Sequence, residues 1–121
     1  MKIKTSELTG AALDWAVQEA QLNTLKQPEL GLLINQIGYG ETVKRYSTNW
    51  SQGGPIIERE SIDVRAPRPM WLYWKAYSSE WNQFGLIENN TQYGDTLLIA
   101  AMRCYVQSKL GDEVEIPDEL F

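Results

Sequence analysis

The chain has 121 residues with five Trp, six Tyr, one Cys and no His, and its formal net charge is -5 at pH 7. This length is typical of one globular domain that folds without disulfides or metal. The acidic balance without any basic run argues against a nucleic-acid duplex as partner, and the missing histidine removes the commonest zinc ligand and the usual general base.

The first predicted element is an amphipathic helix over residues 9–22. Thr9 is a suitable cap, and apolar residues recur at helical spacing from Leu8 to Ala20. Residues 23–42 are punctuated by proline and glycine, and we interpret them as a loop holding one short element. Residues 43–46 are compatible with a short strand.

Two interpretations compete for the following segment. In one, Gly53 and Gly54 form a hairpin turn and a strand follows. In the other, Pro55 lies in the first turn of a short helix, where its missing N–H costs nothing. We favour the helix because Glu58, Arg59 and Glu60 do not alternate with apolar residues.

The middle of the chain predicts an antiparallel sheet. Residues 61–66 alternate between apolar and charged side chains, as a half-buried strand does, and Pro67 and Pro69 end that strand. Residues 70–77 carry aromatic and apolar side chains on both faces, which indicates a central strand covered on two sides. Residues 84–87 are compatible with a third strand.

The clearest helix spans residues 95–110, capped by Asp95 or Thr96 and ended by Gly111. Apolar side chains cover most of its circumference, so it packs on more than one side, either within the domain or against another subunit. The prediction is therefore an α+β fold with a small antiparallel sheet sandwiched by helices. We expect one domain at 1–111 and a short acidic tail at 112–121.

The single cysteine, Cys104, is typical of a reducing compartment, and its place in the apolar helix favours an inert core role. No signal peptide or membrane-length apolar run is visible, so we expect a soluble cytoplasmic protein. No set of residues resembles a metal site, a P-loop or an activated nucleophile. A carboxylate pair at Glu58 and Glu60 is the remaining catalytic option, and a solvated surface explains it equally well. We therefore expect neither an enzyme nor a cofactor.

Three features remain as candidate binding elements. Backbone N–H groups at Gly53 and Gly54 suit an anion if these glycines precede a helix, although a plain turn explains them too. Arg103 is a charge on an otherwise apolar helix surface. It reaches solvent, pairs with a tail carboxylate, or faces a phosphate in a pocket. Aromatic side chains exceed what a small core requires, at Trp50, Trp71, Tyr73, Trp74, Tyr77, Trp81 and Phe84.

Four blocks of sequence carry a family resemblance. They are MKIKTSELTGAALDWAV at 1–17, WSQGGPIIERE at 50–60, LIAAMRCYV at 98–106 and KLGDEV at 109–114. Together, in this order, they resemble the NinX-like proteins of lambdoid phages and prophages. That family usually has a threonine-proline pair before the last helix, where this chain has Asp95-Thr96-Leu97. The resemblance implies a phage accessory protein in the host bacterial cytoplasm. More distantly, the chain is also similar to the phage α-β-α sandwich domains.

In size, element order and origin the chain also looks like the first family of Thoeris anti-defence proteins. Those proteins are oligomeric sponges that sequester cyclic nucleotide-like immune signals without cleaving them. The resemblance implies a homo-oligomer in which Arg103 binds a phosphate, with Phe84 and Asn90 filling the aromatic and amide positions. N–H groups at Gly53, Gly54 or Thr96 would bind a second phosphate, and Trp74 is the tryptophan that we expect to stack on a base.

A second hypothesis is a protein–protein effector that occludes a host or phage protein. The aromatic surface and the acidic tail serve that hypothesis as well. An enzyme that acts on a nucleotide through carboxylates alone is a third, weaker hypothesis.

Overall fold

The computed structural model describes residues 1–24, 44–81, 84–85 and 87–120. Its three α-helices are α1 (Gly10–Thr24), α2 (Trp50–Arg59) and α3 (Leu97–Leu110), and its strands are β1 (Lys2–Lys4), β2 (Asp63–Arg65), β3 (Trp74–Trp81), β4 (Ile87–Gly94) and β5 (Glu113–Glu115). Strands β1 and β5 pair in one antiparallel sheet, and a second antiparallel sheet has the order β2-β3-β4. This arrangement confirms the α+β class. No helix in the described ranges is long and apolar enough to cross a membrane.

Helix α3 is the centre of the fold. The Thr96 hydroxyl accepts a hydrogen bond from the N–H of Ile99 at 3.2 Å and caps the helix, while Gly111 ends it with a φ of 91°. Cys104 faces the sheet, where its Sγ lies 3.6 Å from the Ser78 hydroxyl oxygen. Tyr105 faces the helices, where its hydroxyl accepts a hydrogen bond from Arg59. The prediction of packing on more than one side is confirmed, and the layers run from the three-stranded sheet through α3 to α1 and α2.

Helix α1 begins close to its predicted start. The Thr9 carbonyl accepts a hydrogen bond from the N–H of Leu13 at 3.2 Å. Gly10 has a φ of 54°, a backbone conformation that glycine adopts without strain, which explains a glycine at this position. The buried stripe predicted from the sequence is present at Leu13, Ala16, Val17 and Ala20. Most of the predicted loop at 23–42 lies outside the described residues.

The segment with two interpretations is a helix. Asn49 caps α2 through a hydrogen bond from the N–H of Ser51, so the helix starts at Trp50 and Gly53 and Gly54 lie inside it. Pro55 is consequently in the second turn, and its predicted place in the first turn was wrong. The strand predicted at 43–46 is also wrong over residues 44–46, because a turn begins at Tyr46; residue 43 lies outside the described ranges.

Strand β2 lies within the segment predicted at 61–66 but is shorter, at Asp63–Arg65. The alternation is present, since Val64 is half-buried between the exposed Asp63 and Arg65, and Ile62 just before the strand is buried. The prediction of a strand over 70–77 was wrong in its start. Arg68 and Trp71 exchange backbone hydrogen bonds of 2.8 and 2.9 Å, so the chain turns at Pro69 and Met70 before β3 begins. The second face of β3 carries Lys75, which is half-buried, so this face is less covered than the face towards α3.

The third strand lies further along the chain than predicted. Phe84 is in a turn, and β4 begins at Ile87. The segment IENNTQYG has few apolar residues, so hydrophobic alternation gives no sign of a strand there. Its register with β3 pairs Trp81 with Ile87 and Trp74 with Gly94.

The acidic C-terminal segment, expected as a tail, pairs with the start of the chain. Lys2 lies opposite Glu115 and Lys4 opposite Glu113, which places opposite charges across the strands. Val114 and Ile116 are buried, so part of this segment belongs to the hydrophobic core.

Candidate functional site

Arg103 of α3 is held by two backbone carbonyls. Its Nε donates to the Leu8 carbonyl oxygen at 2.8 Å, and its Nη1 donates to the Tyr93 carbonyl oxygen at 2.7 Å. Partial burial lowers the pKa of Arg103, and the negative charge of Asp95 opposes that effect. An arginine keeps its proton under these conditions because its ordinary pKa lies far above neutral pH. The site therefore contains a fixed positive charge.

A cavity of about 250 Å³ opens beside Arg103. It is lined by Arg103 together with residues from three other segments: Ser6, Tyr73, Gln92, Tyr93, Gly94 and Asp95. Within the described part of the chain, Nη2 of Arg103 has no hydrogen-bond partner and Asp95 makes no ion pair. Tyr73 is 54% exposed and Tyr93 is 47% exposed. Among the described residues, the lining of the cavity thus includes one cation, one carboxylate and two accessible rings.

Gly94 brings β4 close to the start of α3. A Cβ at this position would lie 2.6 Å from the Ala100 amide nitrogen and 2.8 Å from Cγ2 of Ile99. Both distances are too short for any side chain, so only glycine allows this approach. The close packing sets the position of the Tyr93 carbonyl that holds Arg103.

Two of the predicted binding residues lie beside this cavity without lining it. Thr96 follows Asp95, and its hydroxyl oxygen is engaged as the cap of α3. Trp74 pairs with Gly94 across the sheet and is half-buried against the core.

Two other predicted residues are not among the described residues that line the cavity. Asn90 on β4 pairs with Ser78 on β3, and the Asn90 carbonyl oxygen lies 3.5 Å from Cys104 Sγ. Phe84 is 76% exposed in the turn beyond the far end of β4. Since a strand rises about 3.4 Å per residue, the six steps from Ile87 to Tyr93 along β4 span roughly 20 Å, and Phe84 lies in the turn before Ile87. A single chain therefore does not bring Phe84 to Arg103.

The anion site predicted at Gly53 and Gly54 is not formed. Both residues lie inside α2, and the N–H of Gly53 already donates to the Asn49 carbonyl oxygen at 2.9 Å. A Cβ on Gly53 would lie 2.3 Å from the Tyr46 carbonyl oxygen. The glycine is required for close packing rather than for an exposed N–H group.

The sequence interpretation did not single out Tyr93, Asp95 and Ser6 as binding residues. Asp95 was considered only as a cap, a role that Thr96 fills. The Tyr93-Gly94-Asp95 sequence before the last helix was the available signal, because a glycine between a strand and a helix often marks a close backbone approach.

The described residues contain no group of three metal-ligating side chains. Glu60, one of the two carboxylates considered for catalysis, forms ion pairs of 3.1 Å with both Arg59 and Lys109. The contact with Lys109 joins the end of α2 to α3. Glu60 is thus a partner in ion pairs, whereas Glu58 is exposed.

Comparison with known proteins gives one family match. A family model described as "Bacteriophage P22, NinX" matches residues 4–109, which is most of the chain. A search of curated proteins finds no match.

Proposed function

Because the chain belongs to the family of bacteriophage P22 NinX and is a phage accessory protein, we propose that it binds a small phosphate-bearing signal of host defence and withholds it. In this proposal the protein acts in the host cytoplasm without a cofactor, and it sequesters the nucleotide-like signal without cleaving it. The binding site is the Arg103 cavity.

The observation that carries the proposal is a fixed arginine whose Nη2 has no partner among the described residues, at a cavity flanked by two exposed tyrosines. A phosphate accepts charge-assisted hydrogen bonds from a guanidinium group, and these are stronger than neutral ones. Because the Leu8 and Tyr93 carbonyls already fix the side chain, binding costs little of its rotamer freedom. Tyrosine rings stack on nucleobases of any kind.

The proposal includes a homo-oligomer. Phe84 lies beyond the end of β4 that is roughly 20 Å from Tyr93, so we expect it to reach the same ligand only from another copy of the chain. Such an arrangement would reunite the residues that the sequence interpretation grouped together, and measurement of the molar mass in solution with and without ligand tests it.

The test of the proposal is thermal unfolding in the presence of cyclic dinucleotides, cyclic trinucleotides and cyclic ADP-ribose isomers. A ligand at about 100 times its Kd stabilises the folded state by about 2.7 kcal/mol, which raises the Tm by several degrees. We expect one compound to give this shift, and we expect Arg103→Gln to abolish it while retaining a donor for one of the carbonyls. Arg65→Gln, at an exposed position on β2, is the matched control.

Recovery of the ligand after incubation separates binding from catalysis. The sponge proposal requires the compound to return intact by chromatography, and a cleaved product would instead indicate an enzyme. No Tm shift with any compound would remove the proposal for these signals.

A second candidate function is occlusion of a host or phage protein. The turn before β3 favours it, because Met70 is 87% exposed, Leu72 is 79% exposed and both are apolar. Replacement of Met70 and Leu72 by serine should leave ligand-induced Tm shifts unchanged if the sponge proposal is right. If no compound in the panel binds, and this variant no longer weakens host defence in infected cells, the protein partner would be favoured.

A further inference from the structure

Resting on the proposed function, we propose that the Arg103 cavity selects guanine among the nucleobases. Arg103 binds the phosphate, a tyrosine ring stacks on the base, and the Asp95 carboxylate binds the Watson–Crick edge. All of these side chains line the same cavity of about 250 Å³, so one mononucleotide can contact them together.

The unusual feature of the cavity is that two opposite charges line it without forming an ion pair. The Leu8 and Tyr93 carbonyls hold the guanidinium group of Arg103 and prevent it from swinging to Asp95. A ligand that fits both groups must carry an anion for Arg103 and hydrogen-bond donors for Asp95. A nucleotide with a donor-rich base meets both requirements.

Asp95 is available for such a contact. Its carboxylate is exposed, and in the described ranges it takes part in no hydrogen bond or ion pair. It precedes Thr96, whose hydroxyl already caps α3, so the cap leaves the Asp95 side chain unused. A carboxylate near a helix N-terminus also stabilises the helix electrostatically. A test of recognition must therefore separate the effect of Asp95 on stability from its effect on binding.

The number of adjacent donors distinguishes guanine from the other bases. An ionised carboxylate only accepts hydrogen bonds, and its two oxygens suit two neighbouring donors. Guanine presents N1–H and the N2 amino group side by side. Adenine, cytosine and uracil each place an acceptor next to their donor, so the carboxylate would face a lone pair and repel it.

The two rings complete the site. Tyr73 precedes β3 and Tyr93 is on β4, and neither hydroxyl has a hydrogen-bond partner within the residues that the structure describes. Both rings line the cavity. Base stacking on either ring tolerates any base, so selectivity depends on Asp95.

The experiment is calorimetric titration of the full chain with GMP and with AMP, which share ribose and phosphate and differ in the base. We expect GMP to bind at least about tenfold more tightly than AMP, which corresponds to about 1.4 kcal/mol. Asp95→Asn should reverse this preference, because a carboxamide offers one acceptor and one donor and so matches adenine. A purely structural role for Asp95 would change both affinities alike.

The unliganded Tm of Asp95→Asn is the folding control and should stay within about 2 °C of the parent chain, since an exposed substitution changes stability little. Equal affinities for GMP and AMP, both lost in Arg103→Gln, would overturn the base selection and leave the proposed function intact. Binding of neither nucleotide would overturn the base selection as well. The proposed function would then fall only if the wider panel of signals also gave no Tm shift.

Discussion

Tyr46 carries a hydroxyl group into the interior of the protein. The side chain is only 4% exposed, and its hydroxyl donates a hydrogen bond to Oε1 of Gln18 on α1. Burial raises the pKa of Tyr46 above its ordinary value of 10.0, because the charged phenolate loses solvation. The folded state therefore holds this proton more firmly than the unfolded chain does.

This shift predicts a loss of stability at alkaline pH. The contribution is fully present below pH 10 and is lost as the pH rises from about 10 towards the folded-state pKa, because the unfolded chain ionises first. We expect Tyr46→Phe to show a shallower decline between pH 9 and pH 11 in urea unfolding. An unchanged slope in this variant would mean that Tyr46 is not the group responsible.

At the scale of elements, α2 packs closely against the turn that precedes it. Gly53 is buried in α2 against the Tyr46 carbonyl oxygen and Cδ2 of Leu98, which would lie 2.3 and 2.8 Å from an added Cβ. The neighbouring Gly54 is less crowded, since its nearest contact would be Cε3 of Trp50 at 3.4 Å. Two adjacent glycines in the same helix thus differ in the space around them.

The pair gives a matched prediction. Gly53→Ala should destabilise the domain by about 1–3 kcal/mol, because the new methyl group forces the backbone turn or Leu98 to move. Gly54→Ala should be neutral or stabilise by up to about 1 kcal/mol, because alanine favours the helix. Urea unfolding of both variants checks this, and equal effects would contradict the packing argument.

The sequence predicts those elements whose pattern is local. Helix α3 has a cap, a terminating glycine and an apolar surface within its own span, and its bounds were predicted closely. Strand β4 has no such signal, because Asn90 and Gln92 point towards α3 where an apolar side chain would be expected. The start of β3 was missed because the turn at Arg68 and Trp71 depends on paired backbone groups rather than on hydrophobic alternation.

The candidate site was predicted only in part for the same reason. Arg103 was recognisable as a charge on an apolar helix, and Tyr73 belonged to the surplus of aromatic residues. Asp95 and Tyr93 join them only because Gly94 brings β4 against α3, and this contact is tertiary. The prediction at Gly53 failed because a glycine pair has the same appearance in a turn and in a crowded helix.

At the scale of the whole molecule, the two ends of the described chain form one sheet that closes the core. Ile116 is 1% exposed, and its N–H donates to the Met1 carbonyl oxygen at 2.9 Å. Deletion of residues 112–121 would therefore remove core packing together with the acidic charges. Such a deletion is a poor test of whether those charges bind a partner.

Point variants separate the two contributions. Ile116→Ala should cost about 2–5 kcal/mol of unfolding free energy, as expected for truncation of a buried isoleucine. Glu119→Ala, at an exposed position three residues further along, should change stability by no more than about 0.5 kcal/mol. Chemical denaturation measures both, and a similar small effect in the two variants would show that this segment does not support the core.

The pairing of β1 with β5 also sets an order of events during synthesis. Residues 2–4 are translated first among these elements, and their partners at 113–115 come more than a hundred residues later. Ribosomes add roughly 5–20 residues each second, so β5 is synthesised about 5–20 s after β1. During that interval the growing chain gains α1 and α2 but lacks β5, the strand whose Val114 pairs with Ile3. The two-stranded sheet therefore forms only after β5 has been synthesised.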